Sequence, residues 1–362
     1  MALLRPGPIL SPPLQRRARR GNFLVVAAFS LVVLLCFGAL VIDLGAAQNS
    51  RAELQAASDS SALAAVKIMD GSSAGMTTAH RMSEAVASHN LVAGSPFALA
   101  SHADATLDLG RWVDGAFVND ATDPALVVAA RIRARRSTLP TFFARFARAA
   151  DTLAVQAATV ALGGGPIDAV CPMPIAIPAC SLPAGAAVCN YDLQLGPDTG
   201  DNGSWARIGE GRPSAQSVRS ALNPTECTNA GSTSDTVSLN NGQIAVASGD
   251  IAEMISESSE TWNSSTWGAL PAQSSRSAVT AYGHVYHTTI IVFDGGSGSC
   301  AGTKYTGSGY PVVGFASGVA YDAVATGPAA QRRISMRLVC ETTQAAGGGR
   351  YFGARAPIAL VY

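Results

Sequence analysis

Charge is the scarcest commodity in this sequence. Of 362 residues, 25 are Lys or Arg and 25 are Asp or Glu, so charged residues make up 14% and the formal net charge is zero. An average soluble protein carries about 25%. A chain with no basic surplus does not hold nucleic acid through bulk positive charge, and no nucleic-acid partner is expected. Aromatic residues are sparse at 6%, there are five His, and only two of the basic residues are Lys. Absent too are a G-x-S-x-G elbow, an H-E-x-x-H helix, a Walker loop and a Rossmann fingerprint. No two carboxylates stand out as an acid/base couple. No catalytic, cofactor-binding or metal-binding residue is therefore expected, and the chain does not read as an enzyme. What remains is 48% hydrophobic with 36 Gly. That is too apolar for a disordered chain and long enough for one or two domains with real cores.

The strongest positive signal is a run of 20 uncharged residues from Phe23 to Ile42. At 1.5 Å per residue such a run crosses a hydrocarbon core of about 30 Å. Arg16, Arg17, Arg19 and Arg20 precede it and Asp43 follows it. Basic residues stay on the cytoplasmic side, so the amino end is expected inside and the rest outside. A cleaved signal peptide has an apolar core of about 7–15 residues, shorter than this one. Val33-Leu34-Leu35 before Cys36 lacks the small residues of a lipoprotein site. One uncleaved span with an exported body is the expectation.

The helical pattern continues beyond the membrane. Between Asp43 and Asp70 there is no Pro, and Gly45 is the one weak helix former. Ala47, Ser50, Leu54, Ala57, Ser61, Ala64 and Ile68 recur at three- and four-residue steps, which places them on one face. Small side chains let another backbone approach closely. That face, counted with Asp43 and Gly45, is a candidate for helix association; an Ala-rich helix packed on its own ectodomain gives the same periodicity. Arg51, Glu53 and Lys67 fall on the solvent side, and Gly71-Ser72-Ser73 ends the helix.

These residues resemble a known family. The arginine-flanked span, Val41-Ile42-Asp43-Leu44-Gly45 and the stretch from Arg51 to Ala64 (RAELQAASDSSALA) are similar to the amino-terminal region of TadE/TadG-like Flp pilus-assembly proteins. Asp108-Leu109-Gly110-Arg111-Trp112, Leu139 to Phe146 (LPTFFARF), Val155 to Ala161 and Val312-Val313-Gly314-Phe315-Ala316 resemble further elements of that family, in order. Prepilin-like members carry a Glu five positions after a cleavage-site Gly. Here Gly21 is followed by Asn22-Phe23-Leu24-Val25-Val26, so Val26 stands in that place. This sets the chain apart from standard pilins and nearer the TadG-like branch. The resemblance implies a bacterial inner-membrane anchor, a periplasmic body, and lipid, pilin or assembly-protein partners, with self-association possible through the anchor.

Beyond the helix the pattern predicts an α+β protein. Residues 80–95 (Arg81, Met82, Val86, Leu91) read as a short helix. Leu126, Val128, Ala130 and Ile132 alternate with Arg131 and Arg133 as a half-buried strand. Phe142, Phe143, Phe146 and Ala150, opposite Arg145 and Arg148 and after Pro140, read as a helix packed across a sheet; a helix lying on a membrane surface has the same pattern. Gly163-Gly164-Gly165-Pro166 is the best internal boundary. Further strands are expected at 288–293, 311–323 and 334–340, with Ile334, Met336 and Leu338 on one face, and a short helix from Ile251 to Ile255. The chain thus divides into a basic segment (1–20), an anchor and continuing helix (21–69), a pilin-like helix-plus-sheet region (70–165) and a β-rich body (166–362).

Cysteine usage agrees with export. Cys36 lies in the span, and Cys171, Cys180, Cys189, Cys227, Cys300 and Cys340 lie in the body. Six cysteines in an oxidising compartment allow three disulfides in 15 pairings. Their spacing is too wide for the close pairs of a structural zinc site. A Cys300–Cys340 pair is one guess, because it would join neighbouring terminal strands.

Three fragments look like sites and read better as ordinary structure. Asp294 to Ser299 resembles the metal-binding loop of von Willebrand A-type domains, but an extra residue puts the hydroxyls out of register with the carboxylate. Asp198 to Gly203 opens like a calcium loop, yet Gly209 stands where an EF-hand has Glu. His284 and His287, three apart on an expected strand, face opposite ways.

Two readings follow. The favoured one is a membrane-anchored pilus-assembly or minor-pilin-like component acting in adhesion and biofilm formation. The alternative is a tethered extracytoplasmic binding module, or a hydrolase, that shares only the anchor. Under either, the neutral total divides at the bilayer. Residues 1–42 hold five Arg and no acid, and residues 43–362 hold 20 basic and 25 acidic groups. The chain is polarised, not uncharged.

Overall fold

The computed structural model describes residues 20–99, 105–144, 151–183, 185–196, 203–223, 230–241, 245–270, 283–296, 300, 303–327, 332–341 and 347–361. It is an α+β fold that opens with one long helix, α1 (Arg20–Ile68). A second helix, α2 (Ser73–His89), follows after a tight turn. Gly71 takes a φ of +78°, a left-handed conformation that glycine adopts without strain. The Ser72 hydroxyl accepts from the Gly75 N–H as the cap of α2, and Asp70 accepts from both the N–H and hydroxyl of Ser72. The expected helix at 80–95 therefore starts earlier and stops at His89. Leu91 lies beyond it in a two-residue strand.

The chain divides into two compact units. The smaller comprises residues 1–52 and 136–155, and the larger comprises 53–135 and 156–362.

A five-stranded sheet follows the helices. Its strands are β1 (Ala105–Val113), β2 (Ala116–Val118), β3 (Ala129–Pro140), β4 (Thr152–Leu162) and, from the far end of the chain, a strand at Ala359–Val361. Their order is Ala359–Val361, β4, β3, β1, β2. Gly110 makes β1 possible, since a Cβ there would sit 2.2 Å from the Val118 carbonyl. Ala130 and Ile132 of β3 are buried and Arg133 is exposed, as the alternation requires. The strand begins later than expected, however. Asp123 and Pro124 turn Pro124–Leu126 into a short 3-10 turn, with the Asp123 carboxylate accepting from the Ala125 N–H, so Leu126 is not part of the strand.

The strand is also longer at its far end, and this corrects a second expectation. Pro140 closes β3, and residues 141–144 form a turn, not the start of a helix. Phe146 and Ala150 lie outside the described residues.

The body is built on seven strands: β5 (Met173–Pro178), β6 (Asp192–Leu195), β7 (Ser204–Ile208), β8 (Thr236–Asn240), β9 (Tyr286–Phe293), β10 (Gly307–Val324) and β11 (Arg333–Leu338). They run in the order β8-β7-β5-β9-β10-β11-β6, and β8 also pairs with the first part of β10. That extra pairing closes five strands into a ring. Only β5 with β9 is parallel.

β9 carries Ile290, Ile291, Val292 and Phe293, all fully buried. Ile291 and Phe293 point into the ring with Leu239, Phe315 and Tyr305. Ile290 and Val292 point the other way, to a larger core with Ile334, Met336 and Leu338 of β11. The helices α3 (Ala215–Leu222) and α4 (Ala245–Glu257) cover that side with Val218, Leu222, Ile251 and Ile255. Burial on both faces explains why Ile290 to Phe293 is an unbroken apolar run.

The glycine run at 163–165 is a packed crossing. Gly165 and Gly349 exchange N–H···O bonds of 2.9 and 3.0 Å, and Gly348 N donates to Gly163 O at 2.9 Å. A Cβ at Gly165 would stand 2.2 Å from the Arg350 carbonyl, so only glycine lets the two backbones meet.

Two disulfides join Cys180 to Cys300 and Cys189 to Cys340. The Cys300–Cys340 pairing is thus wrong: each of these cysteines is linked instead to the 180–189 segment. Cys171 is disulfide-bonded as well. Cys227 lies outside the described residues.

Candidate membrane-anchoring and association site

The first half of α1 is bare. Every residue from Phe23 to Ile42 is exposed or nearly so, including Phe29, Leu34, Leu35 and Phe37. A helix of large apolar side chains that no described residue covers fits a lipid surrounding, and this one is long and apolar enough to cross a membrane. Cys36 is free and exposed within it. Of the four topology arginines, Arg16, Arg17 and Arg19 lie outside the described residues, and Arg20 opens the helix.

The first charge after the run is the first buried residue of the helix. Asp43 is 4% exposed. Its carboxylate accepts from the Phe142 N–H at 2.8 Å, from Phe143 N–H at 3.0 and 3.3 Å, and from the Ala144 N–H at 2.7 Å. Consecutive N–H groups of a turn point one way and make a cradle for an anion. A carboxylate taken out of water is costly unless its lone pairs are met, and here three backbone donors meet them. Thr141 N and Oγ1 donate to the Asp151 carbonyl at 3.3 Å.

The second half of α1 is built into the larger unit. Leu54 and Ala57 are 1% exposed, and Ser58, Ser61, Ala62 and Ala65 are fully buried. Of the other predicted association residues, Gly45 is exposed while Ala47, Ala64 and Ile68 are half-buried. From Leu54 onward the small-residue face is thus covered by the chain's own body.

Polar contacts fix the helix in place there. Gln55 Nε2 donates to Asp59 Oδ1 and to Thr159 Oγ1, both at 2.8 Å, and Thr159 Oγ1 donates to Asp59 Oδ1 at 2.6 Å. The Ala93 N–H donates to Glu53 at 2.8 Å. At the helix end, Arg355 Nη1 donates to the Lys67 carbonyl at 2.6 Å, which suits a cation at a helix C-terminus.

The body holds one polar cluster that sequence reasoning missed. Arg337 grips Asp192 with two bonds of 2.7 and 2.6 Å and donates to the Trp267 and Ala269 carbonyls. Its guanidinium lies over the Trp262 ring at 5.1 Å. The hydrogen bonds of Asp192 hold it above the ordinary arginine range. His287 stands 3.1 Å from Glu341 and 3.8 Å from Glu260, and Trp267 Nε1 donates to Glu341 at 2.8 Å. His284 bonds instead to the Ser258 carbonyl. These contacts cross-link β6, β9, β11 and the segment around Trp262 over a small aromatic core. Only the long-range pairing of strands brings them together, so no local motif marks them.

Among the described residues no group of three or more His, Cys, Asp or Glu could hold a metal ion. Asp294 accepts from the Gly296 N–H in a turn, while residues 297–299 and 197–202 lie outside the described residues.

Residues 21–71 match the family model of Flp pilus-assembly TadE/G-like proteins. No curated protein matches the chain, and no solved structure does. The matched segment spans the whole of α1 from Gly21 through the turn at Gly71, taking in the bare half, Asp43, and the Leu54–Gln55–Asp59 contacts. It does not separate TadE-like from TadG-like chains. It is through this amino-terminal helix and the turn after it that the chain is similar to Flp pilus-assembly TadE/G-like proteins.

Proposed function

We propose that the chain is a single-pass inner-membrane component of Flp pilus assembly, nearer the TadG-like branch, that acts through protein–protein contacts with its body on the periplasmic side. The observation that carries this reading is where the family match falls. It covers one helix whose first half is bare and apolar and whose second half is fastened into a folded body. The arginines before Phe23 support the orientation. Lateral association, expected for the face of Asp43, Gly45, Ala47, Leu54, Ala57, Ala64 and Ile68, falls to its membrane-proximal part, because the distal part is occupied by the chain itself.

The test is recovery of partners from native membranes. Affinity-tagged full chain, solubilised in mild detergent, is expected to bring down Flp pilin or other pilus-assembly proteins. Recovery alone, from membranes that contain those proteins, would sink the proposal. Exchange of Phe23–Ile42 for an unrelated span of equal length is expected to weaken that recovery. Undiminished recovery would make the span a mere tether.

A further inference from the structure

Asp43 immediately follows Ile42, the last residue of the uncharged run, so whatever Asp43 holds stands at the edge of the membrane. It holds the turn at residues 142–144. The side chains this turn displays are Phe142, 58% exposed, and Phe143, 41% exposed. Two adjacent exposed phenylalanines are an unfavourable choice for a turn in water. The next helix residue, Leu44, is also exposed at 56%, which continues the apolar surface of the span past Asp43. The turn's backbone is equally suited to a dry setting. Near hydrocarbon, unpaired N–H groups are costly, and those of Phe142, Phe143 and Ala144 are all taken up by the Asp43 carboxylate.

We infer that the Phe142–Phe143 turn seats in the outward lipid interface beside the span, with Asp43 as the residue that positions it. The occupant of this apolar surface is the boundary between headgroups and acyl chains, because the surface is continuous with the helix that crosses the bilayer. The turn gives the single span a second foothold, which fixes the helix's rotation as well as its depth. The inference rests on Phe23–Ile42 being a membrane span, and its test separates the two.

The full chain with Cys36→Ser is reconstituted into vesicles of phosphatidylethanolamine and phosphatidylglycerol. A nitroxide is placed in turn at Phe143→Cys, at Leu31→Cys in the span and at Glu257→Cys on the exposed body. Relaxation by oxygen is compared with relaxation by a water-soluble nickel chelate. The label at 143 is expected to favour oxygen, as at 31, and to shift toward the reading at 257 when Asp43→Asn is added. The readings at 31 and 257 should not change, and an unchanged circular-dichroism spectrum and melting temperature report that the variant is folded. A label at 143 that reads like 257, while 31 reads as lipid, overturns the inference and leaves the span intact. A label at 31 open to the chelate overturns the span and the inference with it. A label at 143 shielded from both reagents and broadened by a neighbouring spin assigns the surface to a second copy and overturns the lipid assignment. An unchanged reading at 143 in Asp43→Asn removes the positioning role.

Discussion

Thr159 is the residue on which the fastening of the anchor helix turns. Its hydroxyl takes a hydrogen bond from Gln55 and gives one to Asp59, while the residue itself is 2% exposed. Thr159→Val keeps the shape and deletes both bonds, leaving polar groups of the helix short of a partner. A loss of about 1–3 kcal/mol is expected on the scale for buried donors and acceptors. Chemical denaturation in detergent reads it directly, and an unchanged midpoint would remove Thr159 from the account. A second residue-scale expectation concerns pH. Burial, then the Asp192 carboxylate, push the Tyr321 hydroxyl up to about 12. An unfolded tyrosine titrates near 10. The folded state keeps its proton longer, so this contribution is complete below pH 10 and lost as pH rises toward 12. Thermal melts across that window should fall less steeply in Tyr321→Phe. Equal slopes would show that the hydroxyl contributes nothing.

At the scale of elements, Leu54 lies where the larger unit begins to cover α1. Leu54→Ala should cost about 2–5 kcal/mol, the usual range for emptying a closed apolar site. Ala56→Ser, on an exposed position of the same helix, should be near neutral. Hydrogen exchange in β4 is the readout, with faster exchange expected in the first variant only. The same scale shows what the sequence could and could not reveal. β9 was legible because Ile290 to Phe293 is buried on both faces and so reads as an unbroken apolar run. β11 was legible because Ile334, Met336 and Leu338 alternate onto one core. The turn at Phe142 was not. What holds residues 142–144 is a carboxylate about 100 positions away, which no local pattern marks. Likewise β5, β7 and β8 are short, and they become strands through ring closure, which local periodicity does not encode. The end of β3 was misjudged for a related reason, because Pro140, a residue type suited to a helix's first position, here closes a strand.

For the whole molecule, the cysteines bind distant parts of the body to one short segment. Cys180–Cys300 and Cys189–Cys340 close separations of 120 and 151 residues. Paired replacement of Cys189 and Cys340 by Ala should lower stability by about 2–5 kcal/mol. Cys36→Ser, in the bare half of the helix, should leave it unchanged. Peptide mapping without reductant should recover both linkages; a Cys300–Cys340 peptide would contradict the strand arrangement. The division of charge is also a property of the whole chain. Five Arg and no acid stand before the end of the span, and an acidic excess follows it, so the body is expected outside.

The most direct test of the central claim is electron microscopy of surface pili on the bacterium that makes this protein, after clean deletion of the chain. The account predicts cells without Flp pili, with piliation restored by the full chain but not by residues 43–362 exported without the anchor. Normal pilus numbers in the deletion strain would contradict it.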